Sequence, residues 1–221
     1  MPSVYFQGDF AHFSNPLLKA EGTTFPGPPP SALRGAIENI LFKMGVYVDV
    51  RRITYHRPIR TMNFKTNGLK HAVGMSQITL PDAHQMNNTL LYDVAYTVDF
   101  DLRLCWRDRE TQEIVKFDER VLESQDLRKY MAMYEKYIRL GKCQHPPWLG
   151  SKFCEALFRA PRPEDTPIQE SRDLGMMTHG IEYRKAGNIT HVFHPVMRDG
   201  VVEVDSFFDV LKARYGLRAG Q

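Results

Sequence analysis

Between residues 126 and 153 the chain reads DLRKYMAMYEKYIRLGKCQHPPWLGSKF, a helix-forming run that carries Lys129 and three tyrosines straight into a Pro-Pro turn. Leu127, Tyr130, Tyr134, Tyr137 and Ile138 recur at helical spacing and form one apolar-aromatic face, flanked by Lys129, Lys136 and Arg139. Cations can neutralise phosphate oxygens, aromatic faces can stack on unpaired bases, and a lysine beside a phenol can shift its ionisation. Those types together point to RNA chemistry. A periodic stripe also packs a core, so the tyrosines are expected to be half buried.

A second concentration of chemistry lies upstream. Arg51, Arg52, Arg57, Arg60, Lys65 and Lys70, with His56 and His71, fall between residues 51 and 71, where there is no Asp or Glu. Tyr55 and Phe64 are interleaved with them. The formal charge of the whole chain is only +3, so this local distribution carries the nucleic-acid argument. Basic residues on a strand and its following loop can contact phosphates while aromatics stack on splayed bases.

Metal chemistry is not expected. Cys105, Cys143 and Cys154 show no CxxC spacing and an odd count, which suggests neither a disulfide framework nor a structural zinc site and fits a reducing cytoplasm. Cys143-x-His145 offers two ligands without a second pair, and His145 reads as a packed turn histidine. His191 and His194, three apart on a predicted strand, would point to opposite faces. Asp99 and Asp101 share a strand face and read as solvated edge charges. No cofactor is implied. Neither a secretion signal nor an apolar run of the ~20 residues needed to span a bilayer is present.

The elements that must position these residues alternate. Of the 221 residues, 43% are hydrophobic, enough for a proper core. Residues 4–10 read as a strand. A Gly/Pro-rich loop over 22–30 leads to a helix that Ser31 can cap, with Leu33, Ile37, Ile40 and Leu41 as its buried face. Residues 46–50 alternate as a strand, continued through Ile53 and Tyr55 with a register break. Residues 61–89 hold no period and read as a long mobile excursion. Residues 90–104 alternate as a core strand, and the tyrosine helix follows. This order predicts an α+β fold with a ferredoxin-like, RRM-like domain over residues 1–160. After the linker 161–167, residues 175–183, 189–197 and 201–204 read as a small antiparallel sheet in a β-rich portion, 161–221, that ends in a short helix over 207–215.

Ordered blocks along about 190 residues resemble the family-5 CRISPR-associated proteins of the Dvulg subtype (type I-C). Gly8-Asp9-Phe10-Ala11-His12-Phe13-Ser14-Asn15-Pro16 is similar to that family's opening, and Pro30-Ser31-Ala32-Leu33-Arg34-Gly35 with Glu38-Asn39-Ile40 to its first helix. Pro58-Ile59-Arg60, Asp93-Val94-Ala95-Tyr96, Arg172-Asp173-Leu174-Gly175 and Pro195-Val196-Met197-Arg198-Asp199-Gly200 follow in the family's order, as does the turn at residues 141–150.

The resemblance implies a RAMP subunit of the Cascade surveillance complex. It would bind the repeat-derived 5′ handle of CRISPR RNA and cut the precursor at the base of its repeat stem-loop, by metal-independent attack of a 2′-hydroxyl. Other Cascade subunits are the implied partners, with target DNA a further candidate. The family's processing enzymes use a Tyr on the first helix and an adjacent Lys-His pair. Lys129 matches the lysine, whereas Tyr130 stands where the histidine should be and Leu41 where the tyrosine should be. A phenol ordinarily titrates near ~10, so it needs a neighbouring cation to act as a base at neutral pH. Lys129 and Tyr130 are therefore the candidate catalytic pair, with Tyr47 or His145 as groups that could fill a vacancy. Arg34, Arg51, Arg52, Arg57, Arg60, Lys65 and His145 are the candidate RNA contacts. A subunit that only caps the RNA is the alternative.

Overall fold

The computed structural model describes residues 1–15, 22–43, 46–69, 83–107, 114–117, 125–182, 187–207 and 209–210. The elements in chain order are β1 (Ser3–Ala11), α1 (Pro30–Ile40), β2 (Val46–Tyr55), β3 (Thr61–Leu69), β4 (Ala83–Arg107), β5 (Ile114–Phe117), α2 (Gln125–Leu140), β6 (Leu157–Arg159), β7 (Arg172–Asp173), β8 (Met177–Glu182), β9 (Ile189–Phe193), β10 (Val196–Met197) and β11 (Val201–Glu203). The result is a mixed α/β structure dominated by antiparallel strands.

β4 organises the main sheet, whose path runs β11-β2-β4-β1-β6, with β3 and β5 also paired to β4. Every pairing within it is antiparallel. The expected register break in β2 lies between Val50 and Arg52, so Arg51 is the extra residue of a bulge. α1 and α2 pack against β2 and β4 respectively and touch one another. Leu33, Ile37 and Ile40 of α1 are fully buried, each worth roughly 1.5–3 kcal/mol of hydrophobic burial. Tyr134 and Ile138 of α2 join them over Val48, Val50, Val98 and Phe100.

Three expectations are corrected. Residues 61–69 and 83–89 are paired strands rather than a mobile excursion, because β3 pairs with β4 in register from Thr61↔Leu91 to Leu69↔Ala83. The ladder rests on backbone pairing while Asn63, Lys65, Asn67, Gln85 and Asn87 give the arm polar side chains, so no hydrophobic period announced it. Ser31 does not cap α1: Pro29 is the N-cap, without a side-chain bond, and proline occupies the first turn, where its missing N–H costs nothing. The C-terminal strands do not form one small sheet. β8 pairs with β9 and β7 with β10 as separate ribbons, while β11 adds to the open edge of β2. Met177, Met197, Val202 and Val204 share the main core.

Phe207 begins a helical turn, and residues 211–215 of the expected terminal helix lie outside the described residues, as do 70–82 of the excursion, Tyr183, and the side chain of Cys105. Among the described residues, no helix is long and apolar enough to cross a membrane.

Candidate RNA-binding and catalytic site

α1 ends at Leu41, whose side chain is fully buried and whose backbone N–H donates to the Ile37 carbonyl. The Leu41 carbonyl, left over at the helix end, accepts the hydroxyl of Tyr134. This contact pins α2 to the end of α1 and explains why Tyr134 is buried, edge-on to Phe100 with centroids 5.9 Å apart. Tyr130 lies one turn earlier on the same helix face, half buried against the core, and Lys129 beside it is exposed. Tyr134, rather than Lys129 or Tyr130, is the α2 residue that touches Leu41. Among the described residues, neither Lys129 nor Tyr130 has a hydrogen-bond or ion-pair partner.

The turn after α2 closes onto the same helix end. Gln144 N–H donates to the Ile40 carbonyl (3.1 Å) and His145 N–H to Asn39 (3.0 Å), while the Gln144 side-chain oxygen accepts the Phe42 N–H at 2.8 Å. The first two bonds satisfy carbonyls that a helix C-terminus leaves without partners. His145 is anchored by its backbone and its side chain is exposed, rather than packed as expected. Tyr47 does not fill the vacancy. Burial pushes its hydroxyl up to about 12, even though the Arg34 guanidinium donates to it at 3.1 Å, so it remains a neutral phenol.

Arg34 is itself held inside, 12% exposed, over the Tyr47 ring and 3.9 Å from Glu38. The basic residues also meet carboxylates from outside the acid-free segment 51–71. Arg51 faces Asp49 (3.9 Å) and Asp101 (3.8 Å), and Arg52 faces Glu203 (2.8 Å) and Asp99 (3.8 Å). Arg57 and Arg60 both reach Asp93, the latter at 3.3 Å. Asp99 and Asp101 are thus ion-pair partners rather than isolated edge charges. Asp93 has a φ of 54°, a left-handed conformation that aspartate tolerates better than most residues. Lys65, out on the β3–β4 arm, is exposed, with Phe64 half buried beside it.

Sequence reasoning passed over Asp49. It sits in β2, 1% exposed, accepts the Ser206 hydroxyl (2.5 Å) and the Phe207 N–H (3.1 Å), and has Arg51 and Arg103 at its rim. Burial pushes its carboxyl up, against the pull of those bonds. An acid in the middle of the Val-rich alternation of 46–50 was the available signal. Three further histidines are tied down: His56 by Thr97 and the Thr166 carbonyl, His191 by Glu182, and His194 by Asp173. His191 and His194 share no partner. No group of three or more His, Cys, Asp or Glu that could hold a metal occurs among the described residues.

Comparison with known proteins places this architecture. The Cas5d family profile, described as "CRISPR-associated protein (Cas_Cas5)", matches residues 4–205. The chain belongs to the Cas5d family. It is 30% identical to the "CRISPR pre-crRNA endoribonuclease Cas5d" of Thermus thermophilus over 80% of this chain and 71% of that protein. A protein of the same description from Mannheimia succiniciproducens is 26% identical over 93% of this chain and 95% of its own length. Two solved structures share the fold. A "CRISPR-associated Protein" aligns with a TM-score of 0.62 at 20% identity, covering 92% of this chain and 90% of that one. The functionally uncharacterized SMU1763c from Streptococcus mutans gives 0.61 at 22% identity, covering 92% and 91%.

Within this Cas5d-family chain, then, the candidate residues divide. Tyr134 and the backbone of His145 meet the C-terminal end of α1, Lys129 and Tyr130 lie earlier on α2, and Arg51, Arg52, Arg57 and Arg60 line β2 and the segment after it, opposite β4 carboxylates.

Proposed function

We propose that this chain binds the repeat-derived 5′ handle of CRISPR RNA and cuts precursor CRISPR RNA at the base of the repeat stem-loop, by metal-independent attack of a ribose 2′-hydroxyl. Kinship carries the reading: both curated relatives are named pre-crRNA endoribonucleases, and the match to the second spans 95% of that protein. The setting is a ferredoxin-like RAMP domain over residues 1–160 with a β-rich portion after it, working in the cytoplasm as a Cascade subunit, with target DNA a further partner. The antiparallel order β2-β4-β1-β6, with helices in the two crossovers, supports that fold assignment.

In the reaction, the 2′-oxygen forms a bond to the adjacent phosphorus and the bond to the 5′-oxygen breaks, leaving a 2′,3′-cyclic phosphate and a 5′-hydroxyl. Lys129, exposed on α2 next to Tyr130, neutralises charge that builds on the phosphorane oxygens. Tyr130 moves the proton released by the 2′-hydroxyl. His145, exposed in the turn after α2, is the other group suited to that transfer. Arg52, Arg57, Arg60 and Lys65 supply phosphate contacts; a guanidinium has five N–H donors, so one engaged with Asp93 keeps others for RNA.

A capping subunit that binds without cutting is the second reading, favoured by Leu41, which can transfer no proton. Incubating the purified chain with its cognate repeat RNA in EDTA separates the two. A discrete cut is expected, and tight binding with the RNA left whole would leave only the capping role.

A further inference from the structure

Cationic charge on this molecule is distributed differently in space than along the sequence. The arginines of β2 and of the segment after it are matched by Asp49, Asp93, Asp99, Asp101 and Glu203. From residue 136 to residue 152, by contrast, the chain holds Lys136, Arg139, Lys142, His145 and Lys152 and no acid at all. All five side chains are exposed, and among the described residues none has an ion-pair partner. Glu135 and Glu155 bracket the run and are the nearest acids in sequence.

Next to Lys152 in the sequence stands Phe153, 66% exposed. Its ring lies along that of His12, with centroids 6.0 Å apart and planes 27° from parallel. Lys152 places its ammonium 5.5 Å from the centre of the Trp148 ring. The turn is not a loose one. The His12 N–H donates to the Leu149 carbonyl (3.0 Å), Leu149 N–H to Cys154 (2.8 Å), and the His12 Nδ1 pairs with the Ser151 hydroxyl at 2.8 Å. Gly150, at φ 89°, lies so close that an added Cβ would sit 1.9 Å from the His12 carbonyl oxygen. A rigid turn thus holds an aromatic face open to solvent next to Lys152, in a stretch of chain without acids, which is the arrangement that binds single-stranded nucleic acid by stacking and phosphate contact. A buried protein interface would instead be depleted of charge at its centre.

We infer that the turn at residues 142–153 is a stacking platform for an unpaired base of the single-stranded RNA flanking the repeat stem. Phe153, backed by His12, takes the base, and Lys152 and Lys142 take the adjoining phosphates. This deepens the RNA-binding reading and rests on it. It also assigns the sequence-tolerant contact to the turn after α2 rather than to β2.

The test uses the full chain and repeat RNAs carrying 2-aminopurine at one flanking position at a time. Wild type should quench the fluorescence at one position. Phe153→Ala should abolish that quench and weaken binding about tenfold or more, while Phe153→Trp should restore both. Lys152→Ala should reduce the slope of log affinity against log salt by about 0.7, the value for one phosphate on a single strand. If wild type binds the RNA and Phe153→Ala matches it in quench and affinity, the platform is wrong and the RNA-binding reading stands. The platform is equally wrong if Phe153→Trp remains as weak as Phe153→Ala, because then shape rather than an aromatic face matters. If wild type binds no repeat RNA, both fall together.

Discussion

Asp93 takes the side chains of both Arg57 and Arg60, so a segment with no acid of its own meets one across the sheet. The basic composition of residues 51–71 was legible in the sequence, but its neutralisation was not, because strand pairing decides which carboxylates face it. The tyrosine stripe was read correctly as half buried, and Tyr134 owes its burial to a partner, the Leu41 carbonyl, that no local pattern reveals. Lys129, exposed and beside Tyr130, has the freedom that charge stabilisation at a phosphorane requires. Lys129→Ala should slow repeat cleavage by orders of magnitude, with RNA affinity kept within a few fold, in single-turnover kinetics alongside equilibrium binding. Tyr130→Phe should cause a comparable rate loss if its hydroxyl moves the proton; near-wild-type rates would assign that step elsewhere, with His145 next to test. Arg159 ties β6 to the segment after it. It lies 3.7 Å over the Tyr5 ring and makes two bonds to Asp165, at 2.5 and 2.7 Å, and this pairing holds the Asp165 carboxyl below the usual carboxylate range. Arg159→Ala should cost about 1–3 kcal/mol in denaturant unfolding, with little change in cleavage per folded molecule.

Elements were read best where one face is buried. β1, β2, the core half of β4 and both helices alternate or repeat with the correct period, and each was found near its expected place. The β3–β4 arm was missed because its polar residues give a pairing strand no period to detect. The C-terminal strands were found but misassembled, since sequence spacing does not tell that β11 finishes the edge of β2 while β8 and β9 pair with each other. The turn after α2 was recognised as chemistry but not as architecture: it satisfies the end of α1 and presses against His12. Gly150 tests that architecture. Gly150→Ala would place a methyl group against the His12 carbonyl at a positive φ, so thermal unfolding should report a loss of more than about 1 kcal/mol. A neutral substitution would mean that the turn has room to move.

Across the whole molecule, the C-terminal segment is locked to the sheet through buried polar groups. His179 is 4% exposed, bonded to the Asp205 carbonyl and set against Phe207 and Phe193, and its burial lowers its pKa below the ordinary imidazole value. The unfolded chain then takes up this proton first as pH falls. The contribution of His179 is thus complete above about 6.5 and is lost as pH drops from there toward the folded value. Asp49, whose carboxyl burial pushes up, acts in the opposite sense at lower pH. Melting temperatures should therefore fall between pH 7 and pH 5 for wild type and fall less for His179→Gln; parallel curves would remove His179 from the account. The proposal that this Cas5d-family chain processes its own RNA depends above all on the 2′-hydroxyl as nucleophile. The direct measurement is cleavage in EDTA of a repeat RNA carrying one 2′-deoxyribose immediately 5′ of the scissile phosphate, beside the all-ribose RNA. The all-ribose RNA should be cut and the substituted RNA bound with similar affinity but left intact, whereas equal cleavage of the two, or none of either, would contradict the mechanism.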